Sequence, residues 1–194
     1  PSTFTPEIGH RITVEAAFND ICCEPKYAVR SNAYVVIGPD GEAEAPDRME
    51  TFATATILEH GLDREGTTRI STGERLGRKG GEYVLVDGAY KSVVDEDGRR
   101  IEIPPGAQIL SSQTATVSDV YLTIGEPSWE PVLQTIGRLE VAPQKHPSTL
   151  AVGDSFAVVA RLDGVPLVDQ TVLLTWKGGD ETGETFQTGA GGNV

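Results

Sequence analysis

The sequence is poor in several residue types, and each shortage excludes a class of protein. Its 194 residues include two cysteines, three histidines and one methionine, and only 6% are aromatic. No run approaches the roughly 20 apolar residues that cross a bilayer, so we expect no membrane span. Residues 1–6 lack the basic start and apolar centre of a signal peptide, which indicates a mature segment. Two cysteines fit either redox compartment.

Basic residues are also scarce. Sixteen Lys and Arg face 29 Asp and Glu, for a formal net charge of -13. Such a field repels phosphate backbones and anionic membrane surfaces, so we expect no nucleic-acid partner. An acidic surface attracts cations, but it is also a common means of staying soluble.

Catalytic motifs are missing as well. The chain has no Gly-x-Ser-x-Gly elbow, no His-Glu-x-x-His pair and no phosphate loop. The loop at residues 95–98 resembles a calcium loop but lacks the downstream glutamate, and we interpret it as a hairpin turn. We therefore predict that the protein is not an enzyme, with no catalytic and no cofactor-binding residues.

What the sequence does contain is turns and short β-favouring runs. Twenty-two Gly and 12 Pro punctuate the chain. Between them lie alternating or β-branched runs, which predict an all-β protein with almost no α-helix. These runs are residues 12–18, 33–37, 52–58, 67–73, 83–86, 92–94, 99–103, 115–124, 138–143, 154–162 and 171–176.

The prolines near Trp129 suggest a division into two tandem β-sandwich modules. The segment 129–132 is interpreted as a linker, and the boundary is placed near Ile136. Residues 1–135 would form an N-terminal β-sandwich, and residues 136–194 a second, smaller β-sandwich with Trp176 in its core. The second module holds about four or five strands against about seven in an immunoglobulin sandwich, so we expect it to be minimal or truncated at Val194.

Three stretches, taken in order, resemble one protein family. They are residues 120–125, residues 137–143 leading to His146-Pro147, and Gly153-Asp154 followed by residues 162–166. The family is a bacterial exported family of unknown function, often described as a NikM-like periplasmic component of nickel or cobalt uptake. The resemblance implies a removed signal peptide, a periplasmic or cell-surface location and envelope transport components as partners. It also implies that the second module, residues 136–194, is immunoglobulin-like or prealbumin-like. It also implies a nickel or cobalt ion as ligand, with no cofactor otherwise required.

The resemblance does not transfer a metal ligand. Family members begin with a His-bearing segment before a Pro-Ser like Pro1-Ser2, and that segment is not in this sequence. Members also continue with another strand after a turn like residues 188–192, so we expect further strands beyond Val194.

Three residues remain as metal candidates from the sequence itself: Cys22, Cys23 and His146. The adjacent cysteines are interpreted first as small buried residues, with a redox pair and soft metal ligands as alternatives. Their side chains diverge on an extended backbone, so we expect no tight metal binding through them. His146, before Pro147, is interpreted first as a structural hydrogen-bonding residue. His10 and His60 are expected at the surface.

Three functions stay open. The first is a non-enzymatic periplasmic accessory or binding protein linked to transition-metal uptake. The second is a structural or adhesive tandem module of the cell envelope. The third is a carbohydrate- or peptide-binding module, with Trp129 at the junction available for stacking.

Overall fold

The computed structural model describes residues 1–19, 24–175 and 183–194. Strands make up 47% of the chain and helices 4%, which confirms the all-β prediction. The strands are β1 His10–Phe18, β2 Tyr27–Ala28, β3 Val35–Ile37, β4 Ala43–Glu44, β5 Arg48–Thr51, β6 Thr56–Leu62, β7 Gly66–Ser71, β8 Arg75–Val86, β9 Ala89–Ser92, β10 Ile109–Thr116, β11 Asp119–Ile124, β12 Leu139–Pro143, β13 Val158–Leu162, β14 Val165–Pro166, β15 Thr171–Leu174 and β16 Glu184–Gln187. The helices are α1, Glu130–Leu133, and a 3-10 turn, η1, Pro147–Thr149.

Two four-stranded antiparallel sheets carry the main core. Their strand orders are β2-β1-β6-β5 and β11-β7-β3-β4. Successive side chains of a strand point to opposite faces, so each central strand sends alternate apolar residues inward. The core cluster draws on both sheets and consists of Ile12, Val14, Leu58 and Leu62 from the first and Val36, Ile70, Leu122 and Ile124 from the second. This is a β-sandwich.

Strand β7 is covered on both faces. All six of its residues are buried. Ile70 belongs to the core, whereas the Arg69 guanidinium on the other face donates to the carbonyl oxygens of Pro131 (3.2 Å) and Gln134 (2.6 Å). The segment predicted to be a linker therefore lies against the sheet as helix α1, with Val132 only 4% exposed. The packing follows from the free carbonyl groups of this part of the chain, which accept hydrogen bonds from the buried Arg69.

The later strands form two small antiparallel sheets, β12-β13-β14 and β15-β16. The last residues return to β13, where the Val158 and Val194 amides each donate to the other residue's carbonyl oxygen (2.9 and 3.0 Å). Trp176, predicted in the core of this region, lies outside the described residues.

The chain forms two compact units. One comprises residues 1–74 and 117–194, and the other is residues 75–116. The second unit is built on a three-stranded sheet in the order β10-β8-β9. The boundary placed near Ile136 falls within the first unit, and the tandem-module division stays a prediction. The continuous strand predicted over residues 115–124 is wrong, because it breaks at Val117-Ser118 and its halves join different sheets.

Glycines shape strand β8. The glycine-rich segment 77–81 lies inside this 12-residue strand. The register against β10 shifts twice, between Ser111 and Gln113 and between Gln113 and Ala115, so that β8 bulges. A Cβ on Gly77 would lie 2.2 Å from Thr114 Oγ1, and one on Gly80 would lie 2.6 Å from Ser112 Oγ. A side chain at either position would require the facing hydroxyl group of β10 to rotate away.

Candidate functional site

His60 is buried at one end of the sandwich. Along β6 the buried positions alternate strictly, and His60, only 7% exposed, shares the inward face with Leu58 and Leu62. The surface position predicted for His60 is therefore wrong. The alternation of residues 56–62 carries the signal that would have placed it inward. His10, at the start of β1, is exposed as predicted.

Two carboxylates flank the His60 ring. Its Nε2 atom lies 3.5 Å from Glu44 Oε1, and its Nδ1 atom lies 3.7 Å from Asp47 Oδ1. Nδ1 is buried and has no hydrogen-bond partner among the described residues. Leaving a buried polar atom unpaired costs about 1–3 kcal/mol. Hydrogen bonding of Nδ1 therefore does not explain why the ring occupies this position.

Arginines hold those carboxylates in place. Asp47 Oδ2 accepts hydrogen bonds from the Gly61 amide (2.9 Å) and from Arg11 Nη1 (2.8 Å). The Gly61 hydrogen bond is the main cause that lowers the pKa of Asp47, and Arg11 adds to it. On the other side, Arg64 is paired with Asp40 and its Nη2 atom lies 3.9 Å from Glu44 Oε1. We call these six residues, Arg11, Asp40, Glu44, Asp47, His60 and Arg64, the His60 cluster.

The His60 cluster can offer a cation two ligands at a time. Two ligands with bonds of 2.0–2.2 Å to one tetrahedral ion stand roughly 3.4 Å apart, close to the separation of His60 Nε2 and Glu44 Oε1. The two ring nitrogens point in different directions, Nε2 toward Glu44 and Nδ1 toward Asp47. One ion bound to a single ring nitrogen can therefore reach only one of the two carboxylates. In the described part of the chain, no group of three or more His, Cys, Asp or Glu side chains is arranged to hold a metal ion. A site here would take two ligands from the described residues and the others from water or a partner.

His146 sits in a saturated hydrogen-bond network. Its Nδ1 atom accepts from the Ser148 amide (3.1 Å), so Nε2 carries the proton and donates to the Ser128 carbonyl oxygen (3.0 Å). Nε2 also lies 3.2 Å from Thr67 Oγ1, and Trp129 packs edge-on at 5.0 Å between ring centroids. This agrees with the structural interpretation of His146. A metal role stays a prediction and would require one of these bonds to be given up.

The other metal candidates, Cys22 and Cys23, lie outside the described residues. The described residues contain no helix long and apolar enough to cross a membrane.

The fold and site together define an all-β sandwich protein with an acidic main unit. The chain belongs to a domain-of-unknown-function family, DUF4198, whose family model matches residues 1–194. No curated protein matches it significantly, and no solved structure does.

Proposed function

We propose that this chain is a non-enzymatic accessory or binding protein of the bacterial periplasm or cell surface that assists nickel or cobalt uptake. The observation that carries the proposal is His60, a buried imidazole whose Nε2 atom lies 3.5 Å from Glu44 Oε1 and whose Nδ1 atom, facing Asp47, is unpaired. Imidazole nitrogen with carboxylate oxygen is a donor set that these ions accept. The family resemblance of the sequence supports the same direction.

A site with two protein ligands suits delivery better than storage. An uptake accessory must release its ion, and a site that leaves most coordination positions free exchanges readily. Arg64 strengthens this argument, because its guanidinium lies 3.9 Å from the same Glu44 oxygen and competes with an incoming cation. The site is therefore expected to bind weakly and to be tuned by Arg64.

The test is a calorimetric titration of the full chain with Ni²⁺, Co²⁺, Cu²⁺ and Zn²⁺, supported by native mass spectrometry. His60→Gln and Glu44→Gln should each weaken Ni²⁺ or Co²⁺ binding at least tenfold, about 1.4 kcal/mol. Arg64→Gln should strengthen it severalfold. His10→Gln is the matched control, because His10 is exposed and lies 3.8 Å from Glu7, and its affinity should not change.

Two outcomes contradict the proposal. If Cys22→Ser/Cys23→Ser, and not His60→Gln, lowers affinity tenfold, the ion is held by the cysteines. If the wild type binds none of the four ions, metal uptake is not the role of these residues and the structural or adhesive module becomes the better hypothesis.

A further inference from the structure

Three strands of residues 75–116 form a shallow cleft lined by two tyrosines. Tyr83, Tyr90, Leu110, Ser111 and Ser112 surround an open volume of about 320 Å³. The register explains why they meet. Tyr83 is paired with Leu110 across β8 and β10, and Tyr90 is paired with Leu85, two positions along β8 from Tyr83. Paired residues, and residues two apart on a strand, share one face of a sheet.

The glycine bulge of β8 keeps the cleft open beside Tyr83. Gly81 lies two positions before Tyr83, and a Cβ on it would meet only Tyr83 Cε2, at 3.8 Å. The neighbouring Ser112 hydroxyl donates to the Gly81 carbonyl oxygen at 3.3 Å. A larger side chain at position 81 would therefore occupy space next to the tyrosine ring without disturbing the backbone.

The lining of this cleft has no charged side chain. The surrounding unit is also neutral, because residues 75–116 hold six Lys or Arg and six Asp or Glu. The formal charge of -13 therefore belongs wholly to the other unit. A cleft without charge, in the one neutral part of an acidic protein, neither attracts nor repels ions, which favours an uncharged ligand.

From this lining we infer that the Tyr83–Tyr90 cleft binds neutral carbohydrate. Tyrosine offers a flat apolar face with a polar tip. Tyr90 is 66% exposed, so its ring is accessible to a ligand. The C–H face of a pyranose ring packs on such an aromatic face, while its hydroxyls bond to the hydroxyl groups of Ser112 and the tyrosines.

A protein partner fits the cleft less well. A standard interface buries about 800 Å² on each side and engages 20 or more residues, whereas five residues line this cleft. One or two sugar rings match five side chains. Contacts of this number give weak binding to a single oligosaccharide, and a polymer with repeated units would compensate by multivalency.

The test is an NMR titration of the full chain with two neutral hexasaccharides, one of glucose and one of N-acetylglucosamine. At least one should bind in the millimolar range or tighter, with a change in affinity of less than twofold between 50 and 500 mM NaCl. Tyr90→Ala should reduce affinity at least tenfold, whereas Tyr90→Phe, which keeps the ring, should stay within about threefold. Gly81→Val should reduce affinity while both rings remain.

Tyr27→Ala is the matched control, since Tyr27 is 61% exposed in the other unit, and it should change nothing. Sedimentation with insoluble cellulose, chitin and purified wall sacculi separates a free polysaccharide from a cell-wall glycan. Absence of binding to every neutral glycan, binding that survives both Tyr90→Ala and Gly81→Val, or binding abolished by salt would overturn the inference. The His60 variants leave this cleft intact, so failure here is distinguishable from failure of the metal proposal.

Discussion

The buried Arg69 forms an ion pair with the partly exposed Asp119 across the two neighbouring strands β7 and β11. Arg69 Nη2 donates to Asp119 Oδ2 at 2.7 Å, and the side chains are 7% and 20% exposed. Arg69 Nη1 donates to the carbonyl oxygens of Pro131 and Gln134. One cation thus joins the sheet to the segment that follows it.

Removing the carboxylate should be strongly destabilising. Asp119→Ala would leave the buried Arg69 charge with two carbonyl groups and the Tyr121 ring as partners, and since solvent reaches Asp119 we expect a loss of about 1.5–3 kcal/mol in the free energy of unfolding. Urea denaturation measures it. The control is Arg138→Ala, which breaks the exposed pair between Arg138 and Asp163 (2.6 Å) and should have little effect. Equal effects of the two substitutions would show that burial does not decide the strength of these pairs.

Tyr121 should make the fold sensitive to alkaline pH. Burial raises the pKa of Tyr121 above its ordinary value of 10.0, although the nearby Arg69 charge works against this. The folded state thus prefers the neutral phenol, and this contribution is present below pH 10 and is lost as pH rises through the raised pKa. Urea melts at pH 8 to 11 should show wild type losing stability faster than Tyr121→Phe. Parallel curves would contradict this.

Asp47 should contribute in the opposite pH range. Its pKa is lowered from 3.8, first by the Gly61 amide and then by Arg11. The folded state prefers the carboxylate, so this stabilisation is present above pH 3.8 and is lost as pH falls through the lowered pKa. The stability difference between wild type and Asp47→Asn should shrink between pH 5 and pH 2. Arg11→Gln should keep most of this pH dependence, because the Gly61 hydrogen bond remains.

Gly73 and Gly88 differ in why glycine is favoured: both need a positive φ, but only Gly73 also lacks room for a side chain. Both have positive φ, +62° and +80°, but a Cβ on Gly73 would lie 2.2 Å from the Ala33 carbonyl oxygen, whereas Gly88 has open space. Gly88→Ala should cost only the left-handed backbone strain, about 1–2 kcal/mol. Gly73→Ala should exceed that by at least about 1 kcal/mol, since the carbonyl must also shift. Thermal unfolding of both variants checks the order.

The fold class was readable from the sequence because it depends on local patterns. Alternating runs located most strands. Turn residues located the turn at residues 95–98, where the Asp95 amide donates to the Arg99 carbonyl oxygen. Strand partners were not readable. Residues 115–124 look like one alternating strand, and only the three-dimensional pairing shows that they divide between two sheets.

The candidate sites depended still more on contacts between distant residues. His60 could have been placed inward from its own strand, but Glu44 and Asp47 reach it from elsewhere in the chain. Tyr83 and Tyr90 share a face only because a turn at Asp87-Gly88 returns the chain, and Leu110 joins them from a third strand. A single sequence carries no signal for such contacts between distant residues.

The insertion of residues 75–116 between β7 and β11 has a consequence for how the protein folds. These two strands pair along their length, from Asp119 with Ser71 to Ile124 with Gly66, yet the whole second unit separates them along the chain. Closing so long a loop costs conformational entropy before any ladder bond repays it. The β8–β9 hairpin forms from neighbouring residues and does not bear this cost. Refolding should therefore begin with protection of the β8–β9 amides in pulsed hydrogen exchange, and the β7–β11 amides should become protected in a later, slower phase.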